Sequence, residues 1–222
     1  MNLGVAILAA GASSRMGRSK LLLPWGTTTV LGHLLGLWRA VRPAQLAVVT
    51  TASDVGVHQE LERLGLPTTN CILNPAPERG MFSSVQGAAA WEGWTTTVTH
   101  WAIALGDQPL VRIETLRELL QFAEAHEEQV CQPSRNGRGR HPVILTQKVR
   151  AQLRSSTAQN FKQFLLRCGT TMARLETDDE GLDIDLDEPA DYERALKRVQ
   201  AANPRLSSET SPAPSASAAA RE

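Results

Sequence analysis

The sequence predicts an α/β protein, a Rossmann-like three-layer α/β/α sandwich with a mostly parallel, twisted sheet. Short apolar runs such as Leu3–Leu8 lack the polar alternation of a half-exposed strand, which is typical of a strand buried on both faces. From the start of the chain to about residue 125, such runs alternate with helical patterns. This order indicates parallel strands that are joined by right-handed helical crossovers.

The predicted elements were read from apolar spacing, caps and breakers. The first half is predicted to contain strand 3–8, helix 28–41, strand 45–51, a helix capped by Asp54 and ended by Gly65, strand 69–73, a helix from Ser83 or Ser84, strand 99–105 and a helix from Ile113 to Ala123. The second half is predicted to contain strands near 130, over 141–146 and near 170–176, and helices over 147–153, 158–167 and 189–202.

Length and composition limit the functional classes. The 222 residues suffice for one domain over 1–202, and the Pro/Ser/Ala-rich tail 203–222 is expected to be disordered. Zero net charge disfavours a nucleic-acid partner, and the apolar runs are too short to span a membrane. Three cysteines without CxxC spacing disfavour zinc and disulfides, and the N-terminus shows no signal peptide, so we expect a cytoplasmic protein.

The first strand leads into a loop of small and hydroxyl residues that contains the cations Arg15 and Lys20. Backbone N–H groups of such a loop can converge on an anion, and the cations can complete a polyphosphate site. A tight connection with solvated cations is the alternative. The loop matches neither the P-loop pattern GxxxxGK[ST] nor the dinucleotide pattern GxGxxG.

Acidic residues stand at two further places. Asp107 directly follows a predicted strand, where a carboxylate could bind Mg²⁺ together with substrate phosphates, or could simply form a turn before Pro109. A second acidic stretch covers 183–192; it could supply a second metal-binding carboxylate, or Asp187 and Asp191 could simply cap the last helix. Between these places, the arginine- and glycine-rich stretch 134–143 is either an anion-binding hairpin or a solvated turn.

Residues 8–24, LAAGASSRMGRSKLLLP, resemble the signature loop LA(A/G)GxSxRMGxxKxLLP of the MobA-like nucleotidyltransferases, and within them the molybdenum cofactor cytidylyltransferases. Gly106–Pro109 resembles the family's GD(Q/M)P metal-binding motif, and 183–192 resembles its DxDTPEDY segment, with Glu188 and Ala190 as departures. Gly139–Val143 resembles a GHPV segment near the second substrate. The resemblance covers about residues 3–200 and implies the nucleotide-diphospho-sugar transferase fold.

The resemblance also implies roles for individual residues. It divides the chain into a nucleotide-binding part, about 1–110, and an acceptor-binding part, about 111–202. The implied catalytic residues are Arg15, Lys20 and Asp107, and the implied nucleotide-binding residues are Leu8, Ala10, Gly11, Lys20, Asn74, Gly80 and Ser84. The implied ligands of Mg²⁺, or of Mn²⁺, are Asp107 and Asp187, and a different alignment would replace Asp187 by Asp185. The implied acceptor contacts are Arg140 and His141, although His141 could instead pack against a strand.

The implied reaction transfers CMP from CTP to molybdopterin or the molybdenum cofactor, with release of pyrophosphate. Family members with LAAG in the first loop resemble cytidylyltransferases, whereas LAGG is found in guanylyltransferases, and Ala10 gives this chain the LAAG form. Alternatives are transfer from GTP, another phosphorylated small-molecule acceptor, and a non-catalytic cofactor-binding chaperone. A molybdoenzyme or its chaperone is an expected protein partner.

Overall fold

The computed structural model describes residues 1–11, 16 and 19–202. Arg15 and the tail 203–222 therefore lie outside the described residues. The strands are β1 (Leu3–Leu8), β2 (Pro24–Trp25), β3 (Thr28–Thr29), β4 (Gln45–Thr50), β5 (Cys71–Leu73), β6 (His100–Leu105), β7 (Val130–Arg135), β8 (Arg138–Gly139), β9 (Val143–Thr146) and β10 (Met172–Glu176). The helices are α1 (Val30–Arg39), α2 (Val55–Arg63), α3 (Met81–Ala90), α4 (Ile113–Glu124), α5 (Gln147–Arg154), α6 (Phe161–Arg167) and α7 (Pro189–Ala202).

The main sheet has the strand order β10-β7-β9-β6-β1-β4-β5, with β8 paired to β7. β1 lies in the middle and pairs in parallel with β4 and β6. β4 pairs in parallel with β5, and β7 with β10, whereas β9 runs antiparallel to both of its neighbours, β6 and β7. The mostly parallel sheet confirms the predicted fold class. The direction of β9 was not predicted, because apolar periodicity carries no information on strand direction.

Two hydrophobic layers cover the sheet. Along β1, Val5 and Ile7 pack into one layer and Ala6 and Leu8 into the other, and all four are buried. Residues of α1, α2, α4 and α7 belong to the first layer, and residues of α3, α5 and α6 to the second. The predicted three-layer sandwich is therefore confirmed. It also explains why β1 is apolar throughout, since neither of its faces meets water.

Most predicted elements are present, but several bounds differ. The helix predicted over 28–41 is Val30–Arg39, because Thr28–Thr29 forms β3, and the strand predicted over 141–146 and the helix predicted over 158–167 begin at Val143 and Phe161.

α3 begins at Met81, so the prediction that it begins at Ser83 or Ser84 was wrong. Gly80 precedes it with a φ of 82°, a conformation that favours glycine and ends the preceding loop there. The strand predicted over 69–73 is shortened to β5, because Thr68–Asn70 forms a 3-10 helix. The predicted Asp54 cap is confirmed, since its carboxylate accepts a hydrogen bond from the Val57 N–H at 3.2 Å.

In the part of the chain that the structure describes, no helix is both long enough and apolar enough to cross a bilayer.

Candidate active site

The carboxyl ends of the parallel strands form one edge of the sheet, and the predicted loops leave from it. Ala9 follows β1, Asn74 follows β5, and Gly106 and Asp107 follow β6. Ligands of open α/β sheets bind at such edges. The Gly106 N–H donates to the Leu8 carbonyl at 3.0 Å, and a Cβ on Gly106 would lie 2.6 Å from that oxygen. Only glycine therefore lets the Asp107 turn pack so closely against the first loop.

Three of the predicted site residues meet at one ammonium group. Lys20 belongs to the short 3-10 helix Lys20–Leu22 and directs its Nζ towards two carboxylates. Its Nζ lies 2.7 Å from Oδ2 of Asp107 and 3.5 Å from Oδ1 of Asp187. Residues that are far apart in sequence thus form a single cluster at the carboxyl end of β6.

Asp187 reaches this cluster because its segment is fastened to the Asp107 turn. The Leu186 N–H donates to the Asp107 carbonyl at 2.9 Å, and the Leu186 side chain is fully buried. The Asp191 carboxylate accepts hydrogen bonds from the N–H groups of Asp187 and Glu188, at 3.2 and 2.8 Å. Asp191 thus satisfies backbone groups at the start of α7, while the Asp187 carboxylate reaches Lys20.

Asp185 has a different environment. Its Oδ1 accepts a hydrogen bond from Nε2 of Gln108 at 2.8 Å, and the same amide lies 3.3 Å from the Leu182 carbonyl. Burial raises the pKa of Asp185, the Gln108 hydrogen bond opposes that rise, and the negative charges of Asp107 and Asp187 add to it. The geometry therefore favours Asp187 as the carboxylate that faces Asp107 across a cation.

Sequence reasoning missed Gln108. Its side chain is 6% exposed and links the Asp107 turn to the segment that carries Asp185. Gln108 follows Asp107 at the end of a buried strand, and a polar side chain that is buried there needs a hydrogen-bond partner. This position in the sequence could have indicated its role.

The donor set at Lys20 fits a divalent ion that is shared with a substrate. Mg²⁺ is usually held by one or two carboxylates together with water and substrate phosphates. Asp107 and Asp187 supply two carboxylates that already converge on one positive charge. Among residues 1–11, 16 and 19–202, no group of three or more His, Cys, Asp or Glu residues could hold a metal by itself. Two carboxylates leave further coordination positions for water and substrate phosphate oxygens.

The residues predicted for the nucleotide line the same edge. Leu8 is buried at the end of β1, Ala10 is half-buried, and Gly11 is exposed, with open space where a Cβ would lie. These residues leave backbone groups of the first loop close to the sheet edge.

The loop after β5 is organised by Asn74. Its Nδ2 donates to the hydroxyls of Ser83 and Ser84, each at 2.9 Å, and its Oδ1 accepts from the Ala76 N–H at 2.9 Å. Asn74 and Ser84, both predicted to contact the nucleotide, are therefore buried and bonded to each other. Together with Gly80, they shape the loop that precedes α3.

On the predicted acceptor side, His141 is held against the sheet. Its Nδ1 lies 3.1 Å from the Ile103 carbonyl of β6, and its ring centroid lies 5.9 Å from that of Phe161. Burial lowers the pKa of His141, so the imidazole is neutral near pH 7 and Nδ1 donates this hydrogen bond. His141 therefore packs against β6, which was the predicted alternative to an acceptor contact.

Arg140 belongs to an ion-pair network. Its guanidinium and that of Arg135 each donate to a different oxygen of the Asp183 carboxylate. Arg135 also lies 3.7 Å from Glu180, which pairs with Arg198 at 2.9 Å. The basic stretch is therefore tied to the segment that carries Asp187 and is not simply a solvated turn.

Comparisons with known proteins identify the family of this chain. The family described as "MobA-like NTP transferase domain" matches residues 5–175. The chain belongs to this family. It is 27% identical over 194 residues to the molybdenum cofactor cytidylyltransferase of Escherichia coli K12, covering 86% of this chain and 94% of the relative.

Solved structures of the same fold include members from mycobacteria. The crystal structure of Rv0371c from Mycobacterium tuberculosis H37Rv superposes with a TM-score of 0.74 and 27% identity, covering 89% of this chain and 99% of the other. A structure of the same mycobacterial protein in complex with manganese superposes with a TM-score of 0.67 and 23% identity, over 89% of this chain and 99% of the other. These neighbours confirm the nucleotide-diphospho-sugar transferase fold.

Proposed function

We propose that the chain transfers CMP from CTP to a molybdopterin-type acceptor, giving the cytosine dinucleotide form of the cofactor and pyrophosphate. The observation that carries this proposal is the meeting of Lys20, Asp107 and Asp187 at the nucleotide edge of a MobA-like fold. Similarity to the cytidylyltransferase of E. coli along most of both chains supports the choice of reaction.

Asp107 and Asp187 would hold a divalent ion, Mg²⁺ or Mn²⁺, between their carboxylates. Such an ion would supply positive charge that offsets the negative charge of the triphosphate and of the leaving pyrophosphate. Support comes from the two convergent carboxylates and from the manganese complex of the mycobacterial neighbour. Gln108 would keep Asp185 out of the metal site by holding its carboxylate.

Lys20 and Arg15 would bind the β and γ phosphates and stabilise the leaving pyrophosphate. The acceptor's phosphate oxygen attacks the α-phosphorus, a new P–O bond forms, and the bond to pyrophosphate breaks. The attacking oxygen is already anionic, so the protein needs no nucleophile and no base. Catalysis rests on in-line positioning and on the neutralisation of developing charge.

The first loop and the Asn74 loop would form the nucleoside pocket. Backbone groups of Leu8, Ala10 and Gly11 would face the base, and the methyl group of Ala10 would narrow the space beside it. Asn74, Ser84 and Gly80 would complete the pocket by shaping the loop that faces the ribose. The hydrogen bond from Asn74 to Ser84 and the positive φ of Gly80 support this role. A narrower pocket favours a pyrimidine over a purine.

Arg140 and His141 would lie against the acceptor. We further propose that the protein acts in the cytoplasm and delivers its product to a molybdoenzyme or that enzyme's chaperone. Cys71, Cys131 and Cys168 are free thiols, which a reducing compartment would preserve, and burial raises the pKa of the Cys131 thiol to about 11.

The test is to incubate the protein with molybdopterin and each of the four ribonucleoside triphosphates, with Mg²⁺ or Mn²⁺, and to measure product mass. We expect the cytosine dinucleotide and pyrophosphate. A guanine product would correct the base, and a product only with sugar or polyol phosphates would correct the acceptor. Binding of molybdopterin without any product would favour the chaperone role.

A further inference from the structure

The ammonium group of Lys20 lies where the proposed reaction would require a metal ion. The ammonium lies between the two carboxylates that would bind that ion, at 2.7 Å from Asp107 and 3.5 Å from Asp187. The same side chain is proposed to bind phosphates during the reaction. One ammonium would therefore have two sets of anionic partners, the two carboxylates that it contacts and the phosphates of a bound nucleotide.

The surroundings make this contact electrostatically effective. The Lys20 side chain is 13% exposed and that of Asp107 is 24% exposed, so solvent screens their attraction only in part. Asp187 is more open, at 51%, and reaches the ammonium from the solvent side. The Leu186 hydrogen bond holds the Asp187 segment beside the Asp107 turn, so the two negative charges stay together and need a positive charge between them.

We propose that Lys20 is an internal cation that keeps the metal site closed until a nucleotide arrives. In the free protein, a divalent ion must compete with the ammonium for Asp107 and Asp187. When a triphosphate binds, its anionic oxygens give the ammonium a second set of partners, and the carboxylates become available to the metal. Metal loading thereby becomes conditional on the nucleotide. This inference rests on the proposed function, because it needs a metal at these carboxylates.

Two changes in binding affinity follow, and the direction of each can be predicted. The affinity for metal alone is reduced by the fraction of molecules in which Lys20 covers the carboxylates, so removal of the ammonium must raise it. Nucleotide and metal must also bind cooperatively, each raising the affinity for the other by the same factor. Without Lys20 that coupling becomes smaller, because there is no ammonium to displace.

The test measures Mn²⁺ binding by electron paramagnetic resonance, with and without a non-hydrolysable α,β-methylene analogue of CTP. It compares the full-length wild type with Lys20→Gln, Lys20→Arg and the matched control Lys148→Gln, whose lysine is exposed on α5. Circular dichroism checks that every variant is folded.

We expect Lys20→Gln to bind Mn²⁺ alone about tenfold more tightly than the wild type, in line with a mostly closed site. Lys20→Arg and Lys148→Gln should bind it as weakly as the wild type. The analogue should raise Mn²⁺ affinity strongly in the wild type and less in Lys20→Gln. Unchanged or weaker Mn²⁺ binding by folded Lys20→Gln would overturn the inference, and so would equal coupling in the two proteins.

An Asp107→Asn variant separates this inference from the proposed function. If Asp107→Asn loses Mn²⁺ binding while Lys20→Gln equals the wild type, the metal site stands and only the closing role of Lys20 fails. If the wild type and Asp107→Asn bind Mn²⁺ equally, or no variant binds it even with the analogue, the metal site itself is wrong and both proposals fall.

Discussion

The two halves of the site are held together by different forces. In the half before residue 111, the loops leave parallel strands and are shaped by close packing and neutral hydrogen bonds, as at Gly106 and Asn74. In the half after it, β9 runs antiparallel to its neighbours in the sheet. There, ion pairs of Arg135 and Arg140 with Asp183 connect the β7–β8 hairpin to the segment that carries Asp187. The proposed nucleotide side should therefore respond to changes in side-chain volume, and the proposed acceptor side to changes in charge.

The largest effect is expected at the centre, where the halves meet. Asp107→Ala should reduce nucleotidyl transfer by roughly 10³-fold or more, because a charged group at the reacting phosphates is lost. Pyrophosphate release measures the rate, and circular dichroism measures folding. The matched control Asp54→Ala removes only the α2 cap and should cost about 1 kcal/mol of stability with normal activity. Wild-type rates in Asp107→Ala would contradict its assignment.

Next in size is Lys20→Ala, which should cost roughly 2–4 kcal/mol of transition-state stabilisation, similar to the loss of an oxyanion donor. Steady-state kinetics should show the loss in kcat and in kcat/KM, because the leaving pyrophosphate carries more charge in the transition state. A change in KM alone would mean that Lys20 only binds the ground state.

Packing on the nucleotide side is tested by Gly106→Ala. The new methyl group would lie 2.6 Å from the Leu8 carbonyl oxygen, which is backbone and cannot easily move away. We expect the free energy of unfolding to fall by about 1–3 kcal/mol, with a further loss of activity as the Asp107 turn shifts. Gly36→Ala in α1, where a Cβ meets nothing within 4 Å, should be neutral or slightly stabilising in the same denaturant titration. Equal stability of the two variants would contradict the packing argument.

Charge on the acceptor side is tested by Asp183→Asn. Burial raises the pKa of Asp183, but the guanidiniums of Arg135 and Arg140 outweigh it and hold that pKa below its ordinary value of 3.8. We expect a loss of about 1–2 kcal/mol at pH 7, since 27% of the side chain stays exposed.

The sign of the pH dependence follows from that lowered pKa. The stability contributed by Asp183 is present above pH 3.8 and is lost as the pH falls through the folded-state pKa. Wild type and Asp183→Asn should therefore converge in acid, and high salt should narrow their difference at pH 7. If the difference in the free energy of unfolding between the two proteins were independent of both pH and salt, ion pairs of Asp183 would not be what stabilises this part of the protein.

The smallest effect is expected from Ala10→Gly, which changes selectivity rather than rate. Removal of the methyl group should relax discrimination against GTP by about tenfold or less, as a single methylene is worth about 1–3 kcal/mol in a pocket. Competition between CTP and GTP, with product masses compared, gives the ratio. An unchanged preference for CTP would move the base choice to other residues.

The sequence allowed the strands and helices before residue 111 to be predicted well. Strands that are buried on both faces lack polar positions, so β1, β4 and β6 were recognisable, and their parallel order placed Asp107 at the correct edge. The start of α3 was missed, because it depends on the positive φ of Gly80 and not on the serine hydroxyls that usually mark a cap.

The acceptor half and the contacts between halves could not be predicted in the same way. Nothing in local pattern shows that Arg135 and Arg140 share Asp183, or that Gln108 binds Asp185, since these partners are distant in sequence. Lys20 was expected at phosphates, and its contact with two carboxylates appears only when the tertiary structure brings them together. The assigned roles of individual site residues stay predictions until the variants above are measured.

The hydrogen bond from Leu186 to the Asp107 carbonyl has a consequence for biosynthesis. Lys20 and Asp107 cannot assemble with Asp187 until the segment that carries Leu186 and Asp187 has left the ribosome. A nascent chain that has formed only β1 to β6 carries Lys20 and Asp107 but lacks the second acid. Under the proposed function, a chain that ends before Asp187 would lack the second carboxylate and would not transfer a nucleotide.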